Sequence, residues 1–231
     1  MSDDDEAFDD YASPACLMHE VDPAYFGLAP PLDGLQGNVQ NWRKSERERL
    51  INTRLAIAAE ERQRYTERIA AGLDRLIGNP SGHVISVYWP FRGEPDLRSW
   101  ITDIHNRGGR CALPVVVKRN QPLVFRLWEP GTRLQRGVWN IPFPADGAEV
   151  TPDVVIAPVV GFDPTCYRLG YGGGFFDRAL ATMPAKPRAI GVGYTCAAIA
   201  TIYPQAHDIP MDAIVTEQNT LSCATPTAHR N

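Results

Sequence analysis

The feature that most constrains the fold is an alternation, in which short apolar runs of β type take turns with helical patterns along most of the chain. Val154 to Val160 is almost wholly apolar, as a strand is when helices cover both faces of a parallel sheet. Val84 to Tyr88, Ala189 to Gly193 and Ala213 to Thr216 are further strand-like runs. Between them, Pro95 to Asn106 reads as a helix that turns Leu97, Trp100, Ile101 and Ile104 inward and closes at Gly108-Gly109. A later helix is expected from about Gly174 to Met183. Cys111 to Val117 and Leu123 to Leu127 flank Lys118-Arg119-Asn120-Gln121-Pro122, a hairpin-like turn. Strand, crossover helix and strand, repeated, predict an α/β fold: three layers, with a mostly parallel sheet and helices on both faces.

Two helices precede this pattern. From Arg43 to Gly78 the chain is rich in strong helix formers and holds no proline. Leu50, Ile51, Leu55 and Ala58 fall on one stripe, and Ile69, Leu73, Leu76 and Ile77 form a second. A break is expected near Ala58-Ala59, and Gly78-Asn79-Pro80 stops the second helix.

Charge divides the chain more sharply than its net value of −4 suggests. Residues 1–42 contain nine acids and no Lys or Arg, so all 23 bases and the other 18 acids leave the rest at +5. Residues 1–40, with scattered Pro and Gly, read as an acidic, flexible extension that can bury little against its own ordering entropy. Residues 41–217 read as the folded domain and 218–231 as a polar tail. A mildly basic body suits a small anionic ligand but is too weakly charged to argue for nucleic acid. No apolar run reaches the roughly 18 residues of a membrane span, and MSDDDEAFDD is unlike a signal peptide. A cytoplasmic, monomeric protein acting on small molecules is expected. The five cysteines are widely spaced, without a C-x-x-C pair, and are expected to be reduced thiols.

The stretch with most chemistry follows the buried strand: Gly161-Phe162-Asp163 ends that strand, and Arg168-Leu169-Gly170-Tyr171-Gly172-Gly173-Gly174-Phe175-Phe176-Asp177-Arg178 enters the next helix. In α/β sheets ligands bind at the carboxyl ends of strands. Four glycines in five positions let backbone N–H groups approach an anion, with a helix N-terminus behind them. Arg168 adds a planar fork of donors, and Asp177 is a carboxylate of the type that holds Mg²⁺ against phosphates. The loop is not a Walker A sequence, because no Gly-Lys-Ser/Thr follows, and its glycine spacing is wrong for a dinucleotide fingerprint. By itself, such a turn also serves as a bare strand-to-helix connection.

With three further landmarks in order, the loop resembles that of the 5-formyltetrahydrofolate cyclo-ligases, also called 5,10-methenyltetrahydrofolate synthetases. The landmarks are Arg43-Lys44-Ser45-Glu46-Arg47, Glu94 after the first strand, and Trp139-Asn140-Ile141-Pro142; His207-Asp208 follows the loop. The resemblance covers about residues 41 to 217. It implies a fold related to the ribose-phosphate isomerase and CoA-transferase group. It also implies that ATP, with Mg²⁺, drives cyclisation of 5-formyltetrahydrofolate to 5,10-methenyltetrahydrofolate, releasing ADP and phosphate through an iminium phosphate.

The resemblance further implies roles at matching positions. Arg43, Arg47, Arg168 and residues Leu169, Gly170, Tyr171, Gly172, Gly173, Gly174, Phe175 and Phe176 would hold ATP. Arg168 and Asp177 would be catalytic, and Asp177 and Asp208 would ligate the metal. Glu94 would hydrogen-bond the pterin, while Trp89, Trp139, Tyr171, Phe175 and Phe176 would line the folate slot. Read without the resemblance, Arg43 and Arg47 belong to a solvated charged face, Glu94 is a helix-start acid, and each aromatic is packing. The chain departs from the family pattern in its acidic extension, at Ala197-Ala198, and at Phe175-Phe176 where many members carry tyrosine. A sugar-phosphate isomerase or CoA-transferase-like enzyme, and a non-catalytic folate- or nucleic-acid-associated protein, remain as alternatives on the same fold.

Overall fold

A computed structural model describes residues 38–118 and 120–223. The chain divides into units 1–42 and 43–231, and the account below concerns the second. Most of the acidic extension and the end of the polar tail lie outside the described residues, as does Arg119 in the expected hairpin turn.

Two helices, α1 (Val39–Leu55) and α2 (Ala59–Ile77), lead into β1 (Val84–Ser86). Then come α3 (Arg98–Asn106), β2 (Arg110–Val115), β3 (Val124–Trp128) and a small ribbon of β4 (Leu134–Arg136) and β5 (Pro142–Pro144). The chain continues through β6 (Val154–Pro158), β7 (Gly161–Phe162), β8 (Arg168–Leu169), α4 (Phe175–Thr182), β9 (Arg188–Val192), β10 (Ala213–Val215) and β11 (Thr220–Ser222). The main sheet runs β11-β10-β9-β6-β1-β2-β3. Its five inner strands are parallel, and β3 and β11 are antiparallel edges.

The period-2 alternation of strands sorts their side chains into two cores. Ile85, Val154, Ile156, Ile190 and Val215 share one cluster with Ile69 and Leu73 of α2 and with Trp100, Ile101 and Ile104 of α3. Val84, Val155, Ala157, Ala189 and Ile214 face the other way, against Ala179 and Leu180 of α4. The expected three layers are therefore present.

Several boundaries differ from expectation. The apolar run from Val154 leaves the sheet at Pro158, and Gly161 and Phe162 pair with Leu169 and Arg168 in a separate antiparallel hairpin. Asp163 holds the hairpin turn: Oδ1 accepts from the amides of Thr165 and Tyr167 and from Thr165 Oγ1, and Oδ2 accepts from Ile202 N. Residues 220–222, expected in the tail, form the edge strand β11. Helix α3 begins at Arg98 rather than Pro95. The α1–α2 break falls where expected, but the α1 stripe does not hold. Leu50 and Ile51 are buried while Leu55 is 48% exposed, because the face turned inward is the one carrying Arg43, Arg47 and Arg54.

The expectation of reduced thiols also fails: Cys166 and Cys223 form a disulfide across 57 residues. Spacing could not reveal it, since the hairpin turn and the edge-strand end meet only in the folded chain. Cys111 is a buried free thiol that burial pushes up to about 12, and Cys196 is exposed and free. Among the described residues, no helix is long and apolar enough to cross a membrane.

Candidate active site

The sheet places a crevice beside β1. From β1 the chain moves outward to β2 and β3, whereas β6, β9 and β10 build on the opposite side. Such a switch point opens at the carboxyl ends of the two diverging strands. A cavity of about 200 Å³ lies there, lined by the segments after β1 and β6, by the Gly137–Phe143 region and by α1. Every site residue singled out in the sequence lines it, although Leu169 does so with its side chain in the core beside Leu50 and Ile202.

The short β7–β8 hairpin delivers Arg168, whose side chain is 4% exposed. Its Nη1 donates to Asp177 Oδ2 at 3.3 Å, and the guanidinium lies 5.5 Å over the Phe176 ring. Arg168 Nε and Nη2 are sealed and make no hydrogen bond, although Nη2 pairs with the Asp177 carboxylate at 3.2 Å. Burial lowers this guanidinium's pKa, against the opposing pull of Asp177 and Asp208. Donors left unmet in a buried cation carry a substantial cost, which a bound anion would relieve.

Beyond Arg168 the backbone turns through Gly172 at φ +95° and Gly174 at φ +61°, in the left-handed region. A Cβ on Gly174 would also stand 2.8 Å from Arg178 Nη1. Arg178 Nη2 donates to Gly173 O at 2.7 Å, tying the loop to α4. Among the described residues, the amides of Gly172, Gly173 and Gly174 have no protein acceptor. Asp177 stands in the first turn of α4, its Oδ1 accepting from Ile209 N at 3.2 Å.

The two predicted α1 arginines take different tasks. Arg47 Nε donates to Gly170 O at 2.7 Å, and its guanidinium lies against Gly172. Burial and the neighbouring Arg43 bring its pKa down to about 10, with Asp208 opposing. Arg43 is occupied by the protein: Nε donates to Ile202 O, Nη2 to Tyr203 O, and both terminal nitrogens to the Asp208 carboxylate. Burial pushes the Asp208 carboxyl up, but Arg43, the Gln205 amide and His207 outweigh it and hold the pKa below the usual value. His207 itself is an exposed side chain 3.8 Å from Asp208. Asp177 and Asp208 line the same cavity, yet among the described residues no cluster of three or more His, Cys, Asp or Glu forms a metal cage.

Across the cavity, Glu94 follows β1 and is 6% exposed. Its Oε2 accepts from Phe91 N at 2.9 Å and its Oε1 from the Tyr171 hydroxyl at 3.0 Å. Burial raises its pKa to about 7, with Arg54, the Phe91 amide and the Tyr171 hydroxyl pulling the other way. The aromatic wall is continuous. Trp139, at φ +55° and 36% exposed, stacks on Phe91 at 6.3 Å and meets Tyr171 and Phe175. Trp89 packs edge-on against Trp128.

Three contributors escaped the sequence reading. Phe91 and Arg178 lie in segments the sequence marks, but no pattern there gives either a role. Arg54 was hidden among the arginines of α1, though it lies within about 20° of Arg47 around the helix axis at 100° per residue. That shared face was the available signal.

Comparison with known proteins places the chain among enzymes of one family. The 5-formyltetrahydrofolate cyclo-ligase of Escherichia coli K12 is 31% identical over 170 residues, spanning 71% of this chain and 93% of its own. That of Mycolicibacterium smegmatis is 28% identical over 177 residues, spanning 72% and 89%. The solved Aquifex aeolicus 5,10-methenyltetrahydrofolate synthetase superposes with a TM-score of 0.69 at 28% identity, covering 82% of this chain and 96% of that one. Residues 39–217 match the family as a whole, so this chain belongs to the 5-formyltetrahydrofolate cyclo-ligase family.

Proposed function

We propose that the enzyme uses Mg²⁺ and ATP to close 5-formyltetrahydrofolate into 5,10-methenyltetrahydrofolate, with the terminal phosphates at the glycine loop and the pterin beside Glu94. The observation that carries this reading is Arg168, a buried guanidinium whose Nε meets no acceptor among the described residues, beside loop amides that meet none either. Together they form a site for a multiply charged anion. Cyclisation needs such a site because a formamide oxygen is a poor leaving group. The formyl oxygen attacks the terminal phosphorus and ADP departs. N10 then attacks the activated formyl carbon, loses its proton, and phosphate leaves with the original oxygen.

In this reading Arg168 and Arg47 neutralise phosphate charge and the glycine amides orient it, a division of labour that relies on positioning and electrostatics. Asp177 and Asp208 fit a Mg²⁺ ion, because one or two carboxylates suffice when phosphate oxygens complete the shell. When bound, that ion would offset negative charge on the nucleotide. Arg43, with its donors on Asp208 and two carbonyls, orients that carboxylate. Glu94 offers an acceptor to a pterin N–H, and Trp139, Phe91 and Phe175 supply flat apolar surface for the folate rings. Burial around Glu94 and the aromatic wall also limits water at the activated formyl group.

Incubation of the full chain with ATP, Mg²⁺ and 5-formyltetrahydrofolate, followed optically for the methenyl product, tests the proposal. Product formation that requires ATP is expected. Folded protein that makes no product from verified substrate would overturn it. Product without ATP consumption would remove the phosphorylation step.

A further inference from the structure

Arg54 is 4% exposed and, among the described residues, forms no direct ion pair. Its donors instead join three segments around the cavity. Nε donates to Arg92 O at 3.0 Å in the segment after β1, and Nη1 to Val159 O at 3.4 Å after β6. Nη2 donates to the Tyr171 hydroxyl at 2.7 Å in the glycine loop. That hydroxyl faces two acceptors, Glu94 Oε1 at 3.0 Å and Phe91 O at 3.4 Å, and its proton goes to the nearer carboxylate. The donors thus run in one direction, from cation to hydroxyl to carboxylate, and end on the cavity wall. A buried cation and a buried carboxylate that share a hydroxyl are each left uncompensated when the other is removed.

We propose that Arg54 is a positioning residue for Glu94: through the Tyr171 hydroxyl it aims Oε1 into the folate slot and supplies the counter-charge that this buried carboxylate has from no direct partner. The inference rests on Glu94 meeting the folate ring, and it assigns a task to an arginine that touches neither substrate. It also gives Tyr171 a specific use, because a loop residue without a hydroxyl would leave Arg54 and Glu94 unconnected. The other charged or titratable groups around Glu94 do not provide the same link. Tyr88 is a buried phenol donating to Pro95 O and Asp96 pairs with Arg98, while Arg43, Arg47, Arg168, Asp177 and Asp208 belong to the phosphate side of the cavity.

The test compares the full-length wild type with Arg54→Met, Arg54→Lys and Tyr171→Phe. Cyclisation is measured from pH 5.5 to 8.5 with separate KM values for 5-formyltetrahydrofolate and ATP. Losing a hydrogen bond to a charged group predicts a folate KM raised about tenfold or more in Arg54→Met, with the ATP KM within about twofold. Loss of the counter-charge predicts that the acid limb of kcat/KM for folate moves up by about one pH unit or more. Tyr171→Phe should move the limb in the same direction, the Arg54→Met/Tyr171→Phe double variant should shift it by less than the two single shifts summed, and Arg54→Lys should recover part of the shift. Equal losses in both KM values with an unmoved limb would reduce Arg54 to a structural residue and overturn the inference, as would a Tyr171→Phe profile identical to wild type.

A second readout needs no turnover. The Glu94 carboxyl is titrated by carbon NMR in the unliganded protein, assigned with Glu94→Gln. An upward shift in Arg54→Met and in Tyr171→Phe supports the relay, and an unchanged titration overturns it. Absence of cyclisation by the wild type would instead refute the proposed function, leaving the relay to be decided by this titration.

Discussion

Replacing Glu94 with Gln should flatten the pH dependence of stability. In the folded chain the Glu94 carboxyl is raised from 4.5 to about 7, chiefly by burial. Between those values the native state keeps a proton that the unfolded chain has released, so stability falls as pH rises. At about 1.36 kcal/mol per unit, a shift of this size removes roughly 3 kcal/mol between pH 4.5 and pH 7. Well below pH 4.5 the carboxyl is neutral in both states and contributes no slope. Well above 7 the loss is complete.

Gln suits this site without repacking. Its oxygen can accept from the Phe91 amide, and its NH₂ can donate to the Tyr171 hydroxyl, which retains an acceptor lone pair. The Arg54 charge left behind adds a cost that does not vary over the same range, because arginine stays protonated throughout. Urea unfolding at pH 5 and pH 8 should therefore show the wild type losing about 2.5 kcal/mol more than Glu94→Gln. Thermal unfolding should show an excess Tm drop of about 5–10 °C for a domain of this size. Parallel pH dependences for the two proteins would refute the argument that burial holds Glu94 near neutrality.

Arg168→Met should lower kcat/KM by about 10² to 10³, and it should also cost stability because the partly buried Asp177 carboxylate loses its ion-pair partner. Wild-type kinetics in the folded variant would contradict that assignment. Asp177→Ala should reduce Mg·ATP use by roughly 10² or more with an unchanged circular dichroism spectrum, and unaltered turnover would take Asp177 out of the site. Intact mass under non-reducing conditions should show two hydrogens fewer than the sequence, restored on reduction. On chain entropy, Cys166→Ser should cost about 4 kcal/mol for a loop of this length; equal stability of wild type and variant would show that the Cys166–Cys223 bond does not constrain the unfolded chain. Gly174→Ala should impair ATP use and destabilise by about 1–3 kcal/mol, because the residue sits at positive φ against Arg178, and a variant with wild-type unfolding and kinetics would show that the turn tolerates a side chain.

The sequence by itself determined what depends on short-range pattern. Alternating apolar runs and helical periods specified the layers, because strand and helix each expose a fixed repeat to the core. The dense glycines, flanked by Arg168 and Asp177, marked the loop because few other residues tolerate the φ values at Gly172 and Gly174. Tertiary structure decided which partners each polar group met. Arg43 reached Asp208 across 165 residues, Arg54 reached Tyr171 across 117, and Cys166 met Cys223 across 57. No periodicity encodes such meetings. They follow from where the diverging strands beside β1 end, and a buried charge acquires its chemical character only from the neighbours that the completed sheet brings to it.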